Sequence, residues 1–443
     1  MTPESRTADI AVLGAGAAGL SAAAVLARAG CSVLILEARD RIGGRILTLS
    51  EPSLAFPVDL GAEFIHGHAP ATFELLREAG LKAIGTSGER VTAEGGTSSR
   101  RESLFDDLVR LMRRVDALEE ADLSFEDFLA RQAGDPTLEA ICARARTMVE
   151  GFDAADPARA SVRAIAREWT RMDGGQHRPA GGYGELLRHL ARSLDAAGVH
   201  LKLQTQVEAV HWGGNDVRIT ASSPAGPVRV AASRALVTFP ASVLQLPPRA
   251  PGAVRFDPPL EEKAAALSGV AVGPVIKVVL RFRRPLWETL HGGRFEHAGF
   301  LHHPTCAFPT VWTALPDRAP VLTAWMGGPR AARLAGAPAS DLVRKAFESV
   351  QTLLGVGPEL GDELCAAYVH DWQRDPYALG AYSYVTVGGI GAAEELARPL
   401  RDRLYFAGEA TCPLDPGTVE AALQSGRRAA EQILAGSTAG PSH

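Results

Sequence analysis

The sequence predicts an α/β protein: one domain built on a buried parallel sheet, joined to a second α+β domain that contains a helical insertion. Three observations carry this expectation. Ile10-Ala-Val-Leu13 and Ser32-Val-Leu-Ile-Leu36 are short, continuous apolar runs of the kind that form parallel strands covered on both faces. Between them, Leu20 to Ala29 reads as a helix stopped by Gly30, which completes a βαβ unit. From about Pro70 the spacing changes. Leu104, Leu108, Leu111, Val115 and Leu118 recur at steps of four and three, one face of an amphipathic helix.

The turn after the first strand reads Gly14-Ala-Gly16-Ala17-Ala18-Gly19. Gly14 permits a tight turn, Gly16 lets backbone approach a pyrophosphate, and Gly19 allows close helix–strand packing. The helix N-terminus adds unpaired N–H groups and a partial positive charge. Glu37 closes the second strand 18 residues after Gly19, placed to accept ribose hydroxyls. With strand, turn, helix and acid in order, this is a Rossmann-like dinucleotide fingerprint. By itself it does not separate NAD from FAD.

The remaining elements follow in order. Residues 71–177 read as the helical insertion, with Ser124 and Asp127 as an acidic variant of a capping box before Phe128 and Leu129. Gly181-Gly182-Tyr183-Gly184 opens another helix. Strand-like stretches then fall at Leu201–Leu203, Val217–Thr220 and Ala235–Phe239. Val275–Phe282 is an apolar strand with Lys277 inside it, Ser340–Leu354 a helix, and the final helix runs from about Thr418 to Leu434. The expected division is residues 1–70, 178–266 and 385–443 for the dinucleotide domain, and 71–177 with 267–384 for the substrate domain.

Composition excludes several classes. The chain has 443 residues, 46% hydrophobic and 22% charged, with a net charge of -5. A length of this order favours two or three domains. The small negative charge argues against a nucleic-acid partner, which calls for a basic stripe. Five scattered cysteines, odd in number, argue against a disulfide framework and for a reduced, cytoplasmic setting. The polar start lacks a signal-peptide pattern, and no run reaches about 20 apolar residues, so no membrane association is expected.

The segment after Glu37, Ala38-Arg39-Asp40-Arg41-Ile42-Gly43-Gly44-Arg45, resembles the extension typical of flavin-containing amine oxidases. So does the C-terminal run Tyr405-Phe-Ala-Gly408-Glu409, Pro416-Gly-Thr418-Val419-Glu420 and Ser425-Gly-Arg427. The resemblance spans Ile10 to Ala430 with several motifs in family order, and is weakest over 71–177. It implies a GR2-type FAD-binding domain. Arg45 would lie by the pyrophosphate, where bidentate pairing is favoured. Glu409 would contact the ribityl or pyrophosphate region, and the helix opening at Thr418 and Val419 would aim its N-terminus at the flavin O2 side. Ala17, Ala18, Ala38, Arg39, Gly44, Val207 and Trp372 join Gly14, Gly16, Gly19 and Glu37 as implied cofactor contacts.

The same resemblance implies the chemistry. Lys277, costly in an apolar strand unless paired or hydrated, would hold a water against flavin N5 and assist reoxidation. In Asp59-Leu-Gly61-Ala62-Glu63-Phe64-Ile65-His66-Gly67 the backbone of Gly61–Phe64 would run beside the isoalloxazine. His66 would face the amine and, titrating near neutral pH, bear on its protonation. Glu63 would favour a cationic substrate. Trp372-Gln-Arg-Asp375 through Tyr384 is another family block, also similar to flavin-type histone lysine demethylases, in which Tyr382 would wall the substrate side. Tyr377, Tyr384 and Cys412 read as packing residues. Ala381 stands where monoamine oxidases carry the cysteine that attaches FAD, so the FAD is expected to be noncovalent. Thr418 stands where those enzymes place a second tyrosine, which shifts the expectation from small arylalkylamines toward a polyamine or other extended amine.

The implied reaction is hydride transfer from the amine α-carbon to flavin N5, giving an imine and then an aldehyde, with O2 reduced to H2O2. The partners implied are an amine and O2. Oligomeric state is not set by the sequence, and a homodimer is one arrangement it allows. The alternatives are an L-amino-acid oxidase, a carotenoid-type desaturase or protoporphyrinogen oxidase, and a noncatalytic flavoprotein. Glu63 in place of a carboxylate-binding arginine argues against the first; Lys277, the His66 segment and the Tyr382 block argue against the others. A chromatin demethylase is not expected, since no tower insertion or extra N-terminal domain is recognisable.

Overall fold

A computed structural model of the chain describes residues 4–49, 56–94, 97–100, 104–118, 121–172 and 175–438. Two sheets organise it. The first strand, Glu4–Leu13, pairs in parallel with Val33–Leu36 on one side and with Gly226–Val237 on the other. His200–Lys202 adds a further parallel strand beyond Val33–Leu36. The twelve-residue strand Gly226–Val237 changes partner along its length. Its first part runs antiparallel to Val217–Ser223, and its last residues, Ala235–Val237, pair in parallel with Leu404–Phe406. Gln206–His211 and Arg255–Asp257 complete eight strands. The central runs Val33–Leu36 and Ile10–Leu13 are buried throughout, as expected for strands covered on both faces.

The helix Ala17–Arg28 covers one face of this sheet and packs on the last helix, Val419–Thr438, which ends four residues beyond the expected Leu434. The two helices approach closely because Gly426 faces the Ala18 carbonyl, and Ser21 Oγ donates to Leu423 O at 2.9 Å.

The second sheet has seven strands, with Val275–Phe282 held between Val321–Gly327 and Leu364–Asp371, both antiparallel to it. An internal strand has no edge from which a lysine can reach water, and this places Lys277 in the core. Residues 71–177 are not helical throughout. Glu89–Glu94 pairs with Thr97–Arg100 and joins the second sheet beside Ala298–His302. Ala83–Gly85 pairs with Gln176–Pro179. The helices in this range are Pro70–Glu78, Leu104–Met112 with the short turn Arg113–Ala117, Phe125–Gln132, Glu139–Gly151 and Val162–Trp169. Leu108, Leu111 and Val115 are buried as the spacing predicts, with Phe128 and Trp169 in the same core; the Leu104 side chain lies outside the described residues. Ser124 caps its helix, accepting Asp127 N–H at 3.0 Å and donating its hydroxyl to Asp127 Oδ2 at 2.6 Å. Tyr384 belongs to this core, as a packing residue.

Candidate active site

The glycine turn forms as its spacing requires. Gly14 has φ +112, and a methyl there would come within 2.6 Å of Thr238 Oγ1. A methyl on Gly19 would collide with the Gly14 carbonyl. Gly16 differs, since nothing lies within 4 Å of the place its Cβ would take. Gly16 is also the N-cap of the first helix, with no side chain capping the amides of Ala17, Ala18 and Gly19. Gly408, at φ +136, likewise has open space on its Cβ side, and Gly44 has only Gly16 Cα nearby, at 3.4 Å. Backbone donors thus face an open cradle lined by glycine, which suits a pyrophosphate.

Glu37 is buried at the end of its strand. Its Oε2 accepts Ala15 N–H at 2.7 Å and its Oε1 accepts Arg39 N–H at 2.9 Å, which orients a carboxylate with lone pairs remaining for a ribose. Gln204 N and Thr205 N bond to Arg39 O and Glu37 O, so Ala38 and the approach to Val207 run along this edge. The Arg39 side chain makes an ion pair within the protein. Its guanidinium grips Asp375 with two bonds of 2.8 and 2.6 Å, and His370 Nε2 lies 3.2 Å from the same carboxylate. These contacts hold Asp375 well below the usual carboxylate range despite its burial. The pair ties the dinucleotide loop to the block beginning at Trp372.

Arg45 and Glu409, 364 residues apart, meet at 2.8 Å, and Arg45 also donates to Ala381 O at 2.8 Å. Glu409 Oε2 accepts Ser383 Oγ at 2.5 Å and Gly417 N–H at 2.9 Å. A cavity beside them is lined by Arg45, Val237, Phe239, Pro240, Gly408 and Glu409. The Val237–Pro240 wall was not singled out in the sequence, although Val237–Phe239 is the end of an expected strand. Thr418 caps the last helix, accepting Ala421 N–H at 3.0 Å while donating to Asp415 O at 2.8 Å. Its hydroxyl is therefore engaged locally, and the helix opens at Val419.

The residues from Gly61 to His66 are brought against Lys277, and through Phe152 they are linked to Tyr382. Ala62 N bonds to Arg45 O, and Trp372 Nε1 donates to Leu60 O at 2.9 Å, so both flanking motifs hold this turn. Lys277 is 1% exposed, and its Nζ lies 2.6 Å from Glu63 Oε2 and 3.3 Å from Gly61 O. Glu63 Oε1 accepts Arg178 Nε at 2.8 Å and Trp312 Nε1 at 3.0 Å. Burial opposes the charge on Glu63, yet Lys277 and Arg178 outweigh it and keep its carboxyl below its ordinary range. Glu63 is thus neutralised inside the protein, which corrects its expected role as a substrate-facing acid. Asp59 lies behind it, pushed up from 3.8 to about 7 by burial and then by the Glu63 charge.

His66 pairs with Gln176 across the two-residue strand Ile65–His66. Its ring meets Phe64 at 6.0 Å and Phe152, edge-on, at 5.5 Å. Burial among these rings pushes the imidazole down from 6.5 to about 4, so it is neutral at neutral pH rather than titrating there. Tyr382 OH donates to Phe152 O at 2.5 Å, and its ring packs against Gly417. Lys277, His66, Phe152 and Tyr382 therefore gather around one corner. Behind Tyr382 lies a carboxyl pair that the sequence did not single out. Asp153 accepts Trp169 Nε1 at 3.2 Å and is hydrogen-bonded to Glu168. Burial, and for Asp153 the neighbouring Glu168, raises both, Glu168 to about 7. Tyr377 and Cys412 are packing residues: Arg39 lies 5.3 Å from the Tyr377 ring, and Cys412 bonds to Leu414 O. All five cysteines are free, and no helix among the described residues is long and apolar enough to cross a membrane.

Known proteins resemble the chain in sequence and in fold. The chain is 29% identical to lysine-specific histone demethylase 1 homolog 3 of Arabidopsis thaliana over 96% of its own length, spanning 30% of that protein. It spans 53% of human lysine-specific histone demethylase 2, at 27% identity. It covers 88% of polyamine oxidase 2 of Arabidopsis thaliana and 96% of putrescine oxidase of Kocuria rosea, each at 27% identity. Among solved structures, a putrescine oxidase bound to putrescine superposes with a TM-score of 0.80 at 23% identity, covering 97% of this chain and all of the other. Cyclohexylamine oxidase from Brevibacterium oxydans IH-35A matches as closely in fold, with a TM-score of 0.80 at 21% identity. The family described as flavin containing amine oxidoreductase matches residues 17–434, and the chain belongs to it.

Proposed function

We propose that the chain is an FAD-dependent amine oxidase acting on a polyamine or another extended amine, with the FAD held noncovalently. The carrying observation is the corner in which buried, ion-paired Lys277 stands against the Gly61 turn beside neutral His66 and Tyr382. Bound flavin would supply the two-electron oxidation, accepting hydride from the amine α-carbon and passing its electrons to O2. The protein supplies orientation and electrostatics. Gly14–Gly19, Glu37, Arg45 and Gly408–Glu409 would hold the dinucleotide. Tyr382, fixed by Phe152 O, would form one wall for the amine. His66, being neutral, adds no positive charge beside the substrate and so does not oppose an ammonium entering from water.

Ala381 carries no thiol, which supports noncovalent attachment. An L-amino-acid oxidase would need a guanidinium for the carboxylate. Arg178, the arginine beside this corner, has its nitrogens bonded to Glu63, Leu315 O and Thr313 O, which favours the amine reading. The Asp153–Glu168 pair and the polyamine and putrescine oxidases among the relatives favour an extended amine. We assign residues 1–70, 178–266 and 385–443 to the flavin domain and the remainder to the substrate domain. A peroxide-coupled screen of putrescine, spermidine, spermine, arylalkylamines and amino acids tests the function. Peroxide from di- or polyamines is expected; turnover of amino acids alone would overturn it.

A further inference from the structure

We propose that Glu63 and Arg178 are positioning residues that fix the Lys277 ammonium for the reaction of reduced flavin with O2. The proposal rests on the amine-oxidase reading above. A lysine side chain has four rotatable bonds and would need a tether to hold one geometry. Glu63 provides it at 2.6 Å, with Gly61 O as second acceptor at 3.3 Å, and the Trp312 ring centre stands 5.4 Å from Nζ.

Glu63 is itself immobilised. Its second oxygen is held by Arg178 Nε and Trp312 Nε1. Arg178 is pinned in turn: its two terminal nitrogens donate to Thr313 O and Leu315 O at 3.1 Å, and its guanidinium stacks 4.5 Å from the Phe64 ring. Arg178 lies on Gln176–Pro179, the strand that also pairs with His66. One chain of contacts thus runs to the lysine from the seven-stranded sheet, which holds Trp312 and Thr313, and from the small sheet that holds Arg178. One carboxylate lies between two cations, and Asp59, raised to about 7, adds no full negative charge at neutral pH. The cluster therefore keeps net positive charge, with Lys277 as the member nearest the Gly61 turn. This arrangement favours charge developing on O2 and gives the lysine a fixed location from which to act.

The test compares flavin-loaded wild type with Lys277→Met, Glu63→Gln and the double variant. Stopped flow separates the reductive and oxidative half-reactions, and the flavin midpoint potential is measured for each. Glu63→Gln keeps the volume but removes the anion. It is expected to slow reoxidation by about tenfold to a hundredfold, the scale of misplacing a reacting group. The reductive half-reaction is expected to change far less. In the Lys277→Met background Glu63→Gln should add little, because its effect passes through the lysine. The midpoint potential should rise with Glu63→Gln and fall with Lys277→Met. Trp312→Phe, which removes only the indole donor from Glu63, should shift reoxidation in the same direction by less, and serves if Glu63→Gln does not fold. If Lys277→Met reoxidises like wild type, the amine-oxidase assignment of Lys277 fails. If Lys277→Met is slow but Glu63→Gln and Trp312→Phe are not, or their losses persist undiminished without the lysine, positioning by Glu63 is overturned.

Discussion

Adding one methyl group to Gly16 should weaken flavin binding by at least about tenfold while leaving the empty fold intact. Gly16 has φ −74 and ψ 180, a conformation open to any residue, and no atom lies within 4 Å of the new methyl. Alanine is a poorer N-cap than glycine, but it restricts the unfolded chain, and the two effects offset to within about 1 kcal/mol. The apoprotein should therefore melt within a few degrees of wild type. The methyl instead occupies the place where a pyrophosphate would approach the helix amides. Losing one such charge-assisted hydrogen bond costs about 1.5–3 kcal/mol, or roughly 10- to 200-fold in affinity. Flavin-stripped protein, scanned for thermal unfolding and titrated with FAD by fluorescence quenching, measures both quantities. Gly19→Ala is the contrasting control: its methyl would strike the Gly14 carbonyl, so the apoprotein itself should be destabilised. Wild-type FAD affinity in Gly16→Ala would show that the dinucleotide does not lie against this turn, and a collapsed apoprotein melting point would show that Gly16 is structural.

Other expectations concern charge. Because His66 is depressed to about 4, His66→Ala should lower amine turnover without moving the neutral limb of its pH profile; a shifted neutral limb would place the imidazole's titration there after all. Folded Asp59 holds its proton up to about pH 7, whereas the unfolded chain releases it near 3.8. Between these values the folded state binds more protons, so its stability falls as pH rises, by up to roughly 4 kcal/mol from this group. Asp59→Asn should flatten that decline in melting temperature between pH 4 and 7, and a parallel decline in both proteins would sink the assignment. His66 acts oppositely, since the unfolded chain takes up its proton near 6.5 and the folded chain near 4, so its share of stability is lost as pH falls through that window. Asp375→Asn should weaken FAD binding by loosening Arg39 and the loop after Glu37, read as a raised dissociation constant with little change in the reductive rate of the loaded enzyme.

The parts legible in the sequence are those whose constraint is local. A glycine that must admit a backbone or a pyrophosphate, a buried strand that reads apolar throughout, and a lysine breaking that run all carry their reason within a few residues. Gly14–Gly19 and Lys277 were recognisable on those grounds. The insertion was legible only as to its helices. Glu89–Glu94 and Thr97–Arg100 are polar, and what makes them strands is pairing with each other and with Ala298–His302, about 200 residues away. Glu420 shows the same limit. Read as part of a C-terminal motif, it accepts the N–H groups of Ala71 and Thr72 and so caps the helix Pro70–Glu78, which a local pattern cannot announce.

Glu63 is the case with the largest chemical consequence. Its sequence neighbours place an acid beside the substrate, which invites a role in attracting a cation. The partners that decide its role, Arg178 and Lys277, stand 115 and 214 residues away. A buried carboxylate between two cations is held by both and cannot also serve as a free anion for substrate. Electrostatic attraction for an amine, if the protein supplies it, then falls to groups whose proton is shared rather than committed to a cation. Asp153 and Glu168 fit that description: burial raises the cost of ionising either, Glu168 adds to it for Asp153, and an approaching ammonium would lower it. Asp153→Asn should therefore raise KM for a diamine far more than for a monoamine of equal length, and equal losses on the two substrates would return the pair to a structural role.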